Sequence, residues 1–398
     1  MKYIVIFLIG FVTWNAYSKQ NEALDASASI TSHATFKKIK IVKTNNAAYF
    51  TVNPKNYIAE FQPKYLRKLK SYIEHRGFKL KGSSEKEIVT NSMAWVTQQW
   101  KHNGDNEPPK NFKALDILKN VHKEKMQYRC VEYGLVLSEI LQAYGFNTRQ
   151  LALRANDVAY GGFGKGHVAM EVFLNDLDKW VFLDPQFGAY FTLGDKMLNY
   201  HEIFVEKKDG KFDNVKIHFM MPLKNPNQDE ADYRKFLQLY FGHIVLGGKK
   251  NELRMGLKLE NDNDIITFQG MPVGPVIYTK SKEEFYPSLN RVSIALDFKK
   301  KIDNFQKLAE KLKIKSNEDY LNNMKEFSAF PDFNVNLYSN MIEFSYFEYR
   351  FSNSSKWKKI SGKHLNWLAI NSNNRLEARA INTFGRPGPI TYIEMTYK

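Results

Sequence analysis

The chain has 398 residues, 43% of them hydrophobic, and its 58 lysines and arginines against 42 aspartates and glutamates give a formal net charge of +16. That length holds two or three cores without covalent staples, and a single cysteine excludes an intramolecular disulfide. The basic excess comes from dispersed lysines and reads as a solvated surface that anionic cell-surface polymers can meet. No zinc finger, RNP-type strand or arginine-rich arm is present to bind nucleic acid.

The first residues, MKYIVIFLIGFVTWNAYSKQ, carry Lys2, an apolar run to Trp14, and the small residues Ala16 and Ser18. This is the pattern of a secretory signal peptide, residues 1–18, cut after Ser18. The run is shorter than the ~20 apolar residues of a span, and Lys19 stands where a lipoprotein would have cysteine. The expectation is a secreted or periplasmic protein with no stable membrane span after cleavage.

Residues 19–79 read as an N-terminal extension. KQNEALDASASITSHAT is a polar leader, KIKIVK and AAYFTV alternate as short strands, and YLRKLKSYIEHRGF after Pro63 is a helix ending at Gly77. Residues 80–205 form a core. KGSS caps a helix in which Ile88, Met93, Trp95 and Gln99 share helical spacing, until HNGDNEPP stops it. FKALDILKNVHKEK is a shorter amphipathic helix. RCVEYGLVLSEILQAYG then places Leu137, Ile140, Leu141 and Tyr144 on one face, with Gly145 at the left-handed stop and Cys130 in the first turn.

FNTRQLALRA is a strand, followed by the glycine-laden loop ANDVAYGGFGKG. HVAMEVFL and WVFLDPQF, joined by NDLDK, form a β-hairpin. If partner numbers sum to 351, His167 faces Asp184; slips to 349 or 353 keep both on one side, because side chains alternate with period two.

Residues 206–285 are a mixed extension of the core. KIHFMMPL is extended, DEADYRKFLQLYFGHIVL is helical from about Asp229, and LRMGLKL and DIITFQG are strands. Residues 286–398 are rich in short strands, RVSIALDF, FSYFEYRF, HLNWLAI, RLEARAIN and ITYIEMTY, interrupted by a charged helical insertion from about Lys301 to Phe327. Strands of that length, spaced by turn signals, indicate a β-sandwich-like domain. The fold class expected is α+β.

A lone thiol in an exported chain is either buried and inert or used. Acyl transfer at an amide needs a nucleophile, a base and a group orienting the base, and Cys130, His167 and Asp184 follow in that order. A helix N-terminus and a neighbouring imidazolium both favour a thiolate. Glu132 and Arg129 act on it in opposite directions.

The runs RCVEYGLVLSEILQAYGFNTRQLAL and GHVAMEVFLNDLDKWVFLDPQ resemble the transglutaminase-like superfamily, over about residues 80 to 205. The resemblance implies a papain-like arrangement, a helix-borne cysteine beside His and Asp on adjacent antiparallel strands, with Cys130 as nucleophile, His167 as base and Asp184 as orienting carboxylate. The superfamily includes cysteine proteases, cross-linkers, deglycosylating amidases and members without catalysis. For the oxyanion, the Cys130 backbone N–H is one donor, and Trp95, Gln127 or Gln98 a second. The final strands resemble those of fibronectin III or immunoglobulin-like domains.

The resulting expectation is a thiol enzyme acting on a protein or peptide through a Cys130 thioester, by hydrolysis or transamidation. The alternative is a non-catalytic module binding a cell-surface protein or polymer. No cofactor is implied. One cysteine, with no C-x-x-C or H-E-x-x-H, makes a poor metal site, and GGFGKG precedes a strand rather than opening a helix, which argues against phosphate binding. His102, His122, His201 and His243 read as surface or satisfied core residues, and Asn353 begins a glycosylation sequon.

Overall fold

The structure is a computed structural model that describes residues 38–59, 62–155, 166–247, 253–259, 275–327, 330–352 and 354–398. The expected signal peptide, the polar leader, most of the loop ANDVAYGGFGKG, DIITFQG and Asn353 lie outside the described residues. Among the described residues no helix is long and apolar enough to cross a membrane.

The fold is α+β and is built on one sheet running β10-β9-β8-β2-β3-β4-β5-β6, with β7 also paired to β5. Its central strands are β2 (Asn147–Arg154), β3 (Gly166–Leu174), β4 (Lys179–Asp184) and β5 (Ala189–Leu193), followed by β6 (Lys196–Met197) and β7 (Lys216–Phe219). On the other flank lie β8 (His243–Leu246), β9 (Arg254–Lys258) and β10 (Val276–Thr279). All pairs are antiparallel except β9 with β10.

Alternation along the strands divides two cores. Met170, Val172, Leu174, Val181 and Leu183 face a layer of four helices, α1 (Pro63–His75), α2 (Glu85–Thr97), α3 (Ala114–Glu124) and α4 (Cys130–Ala143). Leu151, Leu153, Ala169, Phe182 and Phe191 face the other way, against α5 (Tyr200–Lys208) and α6 (Pro226–Gln238).

α4 is central to the first core, with Leu137, Ile140 and Leu141 completely buried. It ends where the chain turns left-handed at Gly145, φ +81°, whose N–H bonds the Gln142 carbonyl while that of Phe146 bonds Leu141. The Gly145 carbonyl accepts from Asn382 Nδ2 at 3.1 Å, so this helix end docks on the C-terminal region.

That region holds two sheets over one apolar cluster. β11 (Val292–Phe298), β12 (Asp332–Ser339) and β15 (His364–Leu368) face β1 (Ile39–Thr44), β17 (Thr391–Tyr397), β16 (Asn374–Asn382), β13 (Phe344–Phe351) and β14 (Lys358–Ile360). Three short helices, α8 (Phe305–Lys311), α9 (Asn317–Asn322) and α10 (Met324–Phe327), occupy the expected insertion; α7 (Lys282–Phe285) precedes β11.

Three local expectations are corrected. AAYFTV contains a 3-10 turn at Tyr49–Thr51 rather than a strand. Just before it, the Asn46 side chain accepts from the Ile294 N–H and donates to its carbonyl, both at 2.8 Å, standing in for a ladder partner as the chain leaves the sheet. The helix expected from Asp229 begins at Pro226, whose fixed φ suits a first turn. Its last expected residues are instead β8, four buried residues filling the gap between β2 and β9. The N-terminal extension is not one unit: β1 belongs to the C-terminal sheet, whereas α1 buries Leu66, Leu69 and Ile73 in the first core.

Candidate active site

Cys130 is the first residue of α4 and is half-buried, so its sulfur sits at the positive end of a 14-residue helix. Glu132 caps that end, accepting from the Arg129 N–H at 3.0 Å, and is held by the Arg129 guanidinium, which also pairs with Glu107. The carboxylate that would oppose a thiolate is thereby neutralised.

The β3–β4 hairpin pairs Met170 with Leu183, a register summing to 353, so Asp184 lies opposite Ala169 and diagonal to His167 on the same face. His167 Nε2 is 2.8 Å from Asp184 Oδ2, with both side chains almost wholly buried. Cys130 acts on the same imidazole, raising its pKa, so the sulfur lies close to the ring. With Nε2 engaged by the carboxylate, Nδ1 is the nitrogen left for the sulfur. The structure thus brings Cys130 to a hydrogen-bonded His167–Asp184 pair.

Burial works against charge on His167, but the Asp184 charge and hydrogen bond, followed by Cys130, outweigh it and push its pKa up to about 10. The imidazole is therefore protonated at neutral pH. Rings of Phe236 at 5.1 Å, Phe187 at 6.1 Å and Tyr240 at 6.1 Å enclose it and exclude water from the pair.

Asp184 is buried with every oxygen engaged. Oδ2 also accepts from Tyr233 Oη at 2.8 Å, and Oδ1 accepts from the Gln186 N–H at 3.2 Å. Tyr233 comes from α6, and its pKa is raised well above the ordinary phenol value by burial and by Asp184, so it remains a donor. Nothing in the sequence singles it out, because it reads as one more apolar contact of an amphipathic helix. Tyr233→Phe is expected to cost about 1–2 kcal/mol of stability by leaving Asp184 one donor short, and to lower turnover less than Asp184→Ala does. Equal losses in the two variants would remove Tyr233 from the orienting role.

The second oxyanion candidates are placed differently. Trp95 packs edge-on against Phe78 at 5.3 Å, and Phe78 lies against Tyr144 at the far end of α4, about 20 Å from Cys130 at 1.5 Å per residue. Its neighbour Trp100 is the tryptophan beside the start of α4, stacked on Tyr133 at 4.2 Å and donating to the Tyr128 carbonyl at 3.3 Å. Gln127 is exposed, its backbone carbonyl held by Asn106 Nδ2 at 2.6 Å. Gln98 is the exposed C-cap of α2. His102, read as a surface residue, is exposed but near enough for His167 to depress its pKa, after burial, so it borders the site. Among the described residues no group of three or more His, Cys, Asp or Glu side chains converges as a metal site.

No protein family matches the sequence, and no curated protein matches it. Among solved structures, the chain is similar to a Cytophaga hutchinsonii protein described as a putative cysteine protease, at 11% identity and a TM-score of 0.25 over 46% of this chain and 58% of that one. It is also similar to red sea bream transglutaminase, at 11% identity and a TM-score of 0.21 over 84% of this chain and 71% of that one.

Proposed function

We infer that the protein is an exported thiol enzyme of the transglutaminase-like type, which transfers the acyl group of a protein or peptide amide through a thioester on Cys130. The observation that carries this reading is the convergence of Cys130 with a buried, hydrogen-bonded His167–Asp184 pair, in which the sulfur lies close enough to raise the His167 pKa.

In the first step the Cys130 sulfur forms a bond to the carbonyl carbon, and the carbonyl electrons move to oxygen, toward the N–H groups at the start of α4. Collapse breaks the C–N bond as imidazolium His167 gives its proton to the leaving amine. The neutral imidazole then takes a proton from water or an amine, which attacks the thioester and releases the thiolate. Asp184 holds the ring tautomer throughout and Tyr233 holds Asp184.

The test is acylation by a peptide p-nitrophenyl ester, quenched in acid and read by intact mass. A single acyl adduct on Cys130, absent in Cys130→Ala, with continuous nitrophenol release, is expected. Equal release by wild type and Cys130→Ala would refute the assignment. Adding a primary amine separates hydrolysis from transamidation.

A further inference from the structure

The last residue of β2 is Arg154, which pairs with Gly166 immediately before His167. A Cβ at Gly166 would strike the Arg154 guanidinium, 3.3 Å from Cζ with a terminal nitrogen nearer still. Glycine at that position thus lets the guanidinium lie against the strand end that carries His167. The chain is held there from both sides: the Arg154 carbonyl accepts from the Gly242 N–H at 3.0 Å.

Three observations set this guanidinium apart. Cys130 and Tyr278, among the described residues, act on its charge, so it lies within electrostatic reach of the sulfur. Among the described residues no carboxylate or carbonyl is bonded to its side chain, whereas Arg129, Arg149 and Arg291 each hold a carboxylate. Of the described residues near it, His243 is neutral at pH 7, pushed down to about 4 by burial, then by Arg154 and Lys258. A guanidinium that holds no carboxylate among the described residues can take one from a ligand.

We propose that Arg154 is the specificity-determining residue of an anion subsite beside Cys130, which selects substrates carrying a carboxylate next to the reacting amide. A guanidinium fork takes a carboxylate through two parallel hydrogen bonds. The carboxylate is either an acidic side chain neighbouring the reacting bond or the α-carboxylate of a chain end. This rests on Cys130 being the nucleophile, as argued above.

Two alkylating reagents of similar size separate the ideas without a known substrate. In each, the Cys130 thiolate forms a C–S bond and iodide leaves, but iodoacetate is an anion and iodoacetamide is neutral. The ratio of their rates on wild type is expected to exceed that of free cysteine by about tenfold, a gap worth about 1.4 kcal/mol. It should fall to the free-cysteine value in Arg154→Gln and partly recover in Arg154→Lys. Unmutated protein gives a second readout, protection of Cys130 from iodoacetamide by peptides. One arm uses a C-terminally amidated peptide containing glutamate, the other a neutral peptide with a free α-carboxylate, and whichever protects identifies the source. A free-cysteine ratio in wild type with brisk labelling by iodoacetamide, and no protection by either peptide, overturns the subsite while leaving the nucleophile intact. Failure of both reagents to label Cys130 overturns the nucleophile, and the subsite with it.

Discussion

Replacing His167 with alanine is expected to slow alkylation of Cys130 by iodoacetamide at pH 6 by about thirtyfold. An ordinary thiol has a pKa of about 8.5 and is ionised to about one part in 300 at that pH, while the weaker nucleophilicity of a stabilised thiolate offsets about tenfold. The imidazolium is the source of the stabilisation, since its pKa stands at about 10. A raised histidine pKa contributes fully below the unfolded value of about 6.5 and is lost as pH rises through the folded one. The advantage of wild type over the variant should therefore persist while His167 is charged and fade as pH rises through about 10. The variant, with no imidazolium beside the sulfur, should react faster as pH rises. Parallel profiles for the two proteins would show that His167 does not act on the sulfur.

The second large effect concerns stability. Glu171→Ala should lower the free energy of unfolding by about 3–5 kcal/mol, the usual cost of stripping one partner from a buried ion pair. Arg149 and Glu171 are inaccessible to solvent, bonded at 2.6 and 2.9 Å, and Arg149 also donates to the Phe285 carbonyl at 2.8 Å. Trp180, Phe285 and Tyr286 surround the guanidinium at 4.1, 4.6 and 4.7 Å. The other Glu171 oxygen takes the Tyr200 N–H and the Tyr286 hydroxyl. No atom of the pair is left over, so deletion of the carboxylate strands a cation under three rings. Urea midpoints at constant m-value measure the loss; the double variant Arg149→Met, Glu171→Leu should recover much of it. A single-variant loss under about 1 kcal/mol would mean that water reaches the guanidinium.

Elements whose periodicity and punctuation agree were legible in the sequence. α4 shows this most plainly, with Leu137, Ile140 and Leu141 on one face and Gly145 at its end. The hairpin face shared by His167 and Asp184 was legible too, because a shift of two residues preserves the side on which a strand residue points. What stayed hidden depends on neighbours remote in sequence. Arg149 reads as the polar position of an alternating strand, yet its carboxylate lies 22 residues away and its carbonyl partner 136. Tyr233 matters because α6 folds across the second core to reach Asp184. Trp95 and Trp100 have the same composition and nearly the same place in the chain. Only the packing of α2 along α4 decides that Trp100 meets the start of that helix while Trp95 meets Phe78.

The pairing of β1 with β17 sets an order of events during synthesis. Ile39 pairs opposite Tyr397, so β1 gains its sheet neighbour only once β17 has been made. The layers bearing Cys130, His167 and Asp184 rely on contacts completed well before that, and they can assemble while the outer sheet is still waiting. Closure of so long a loop adds only logarithmically to its entropic cost. The delay is thus a matter of timing: until β17 is made, β1 is an unpaired edge that a chaperone or a neighbouring nascent chain can reach.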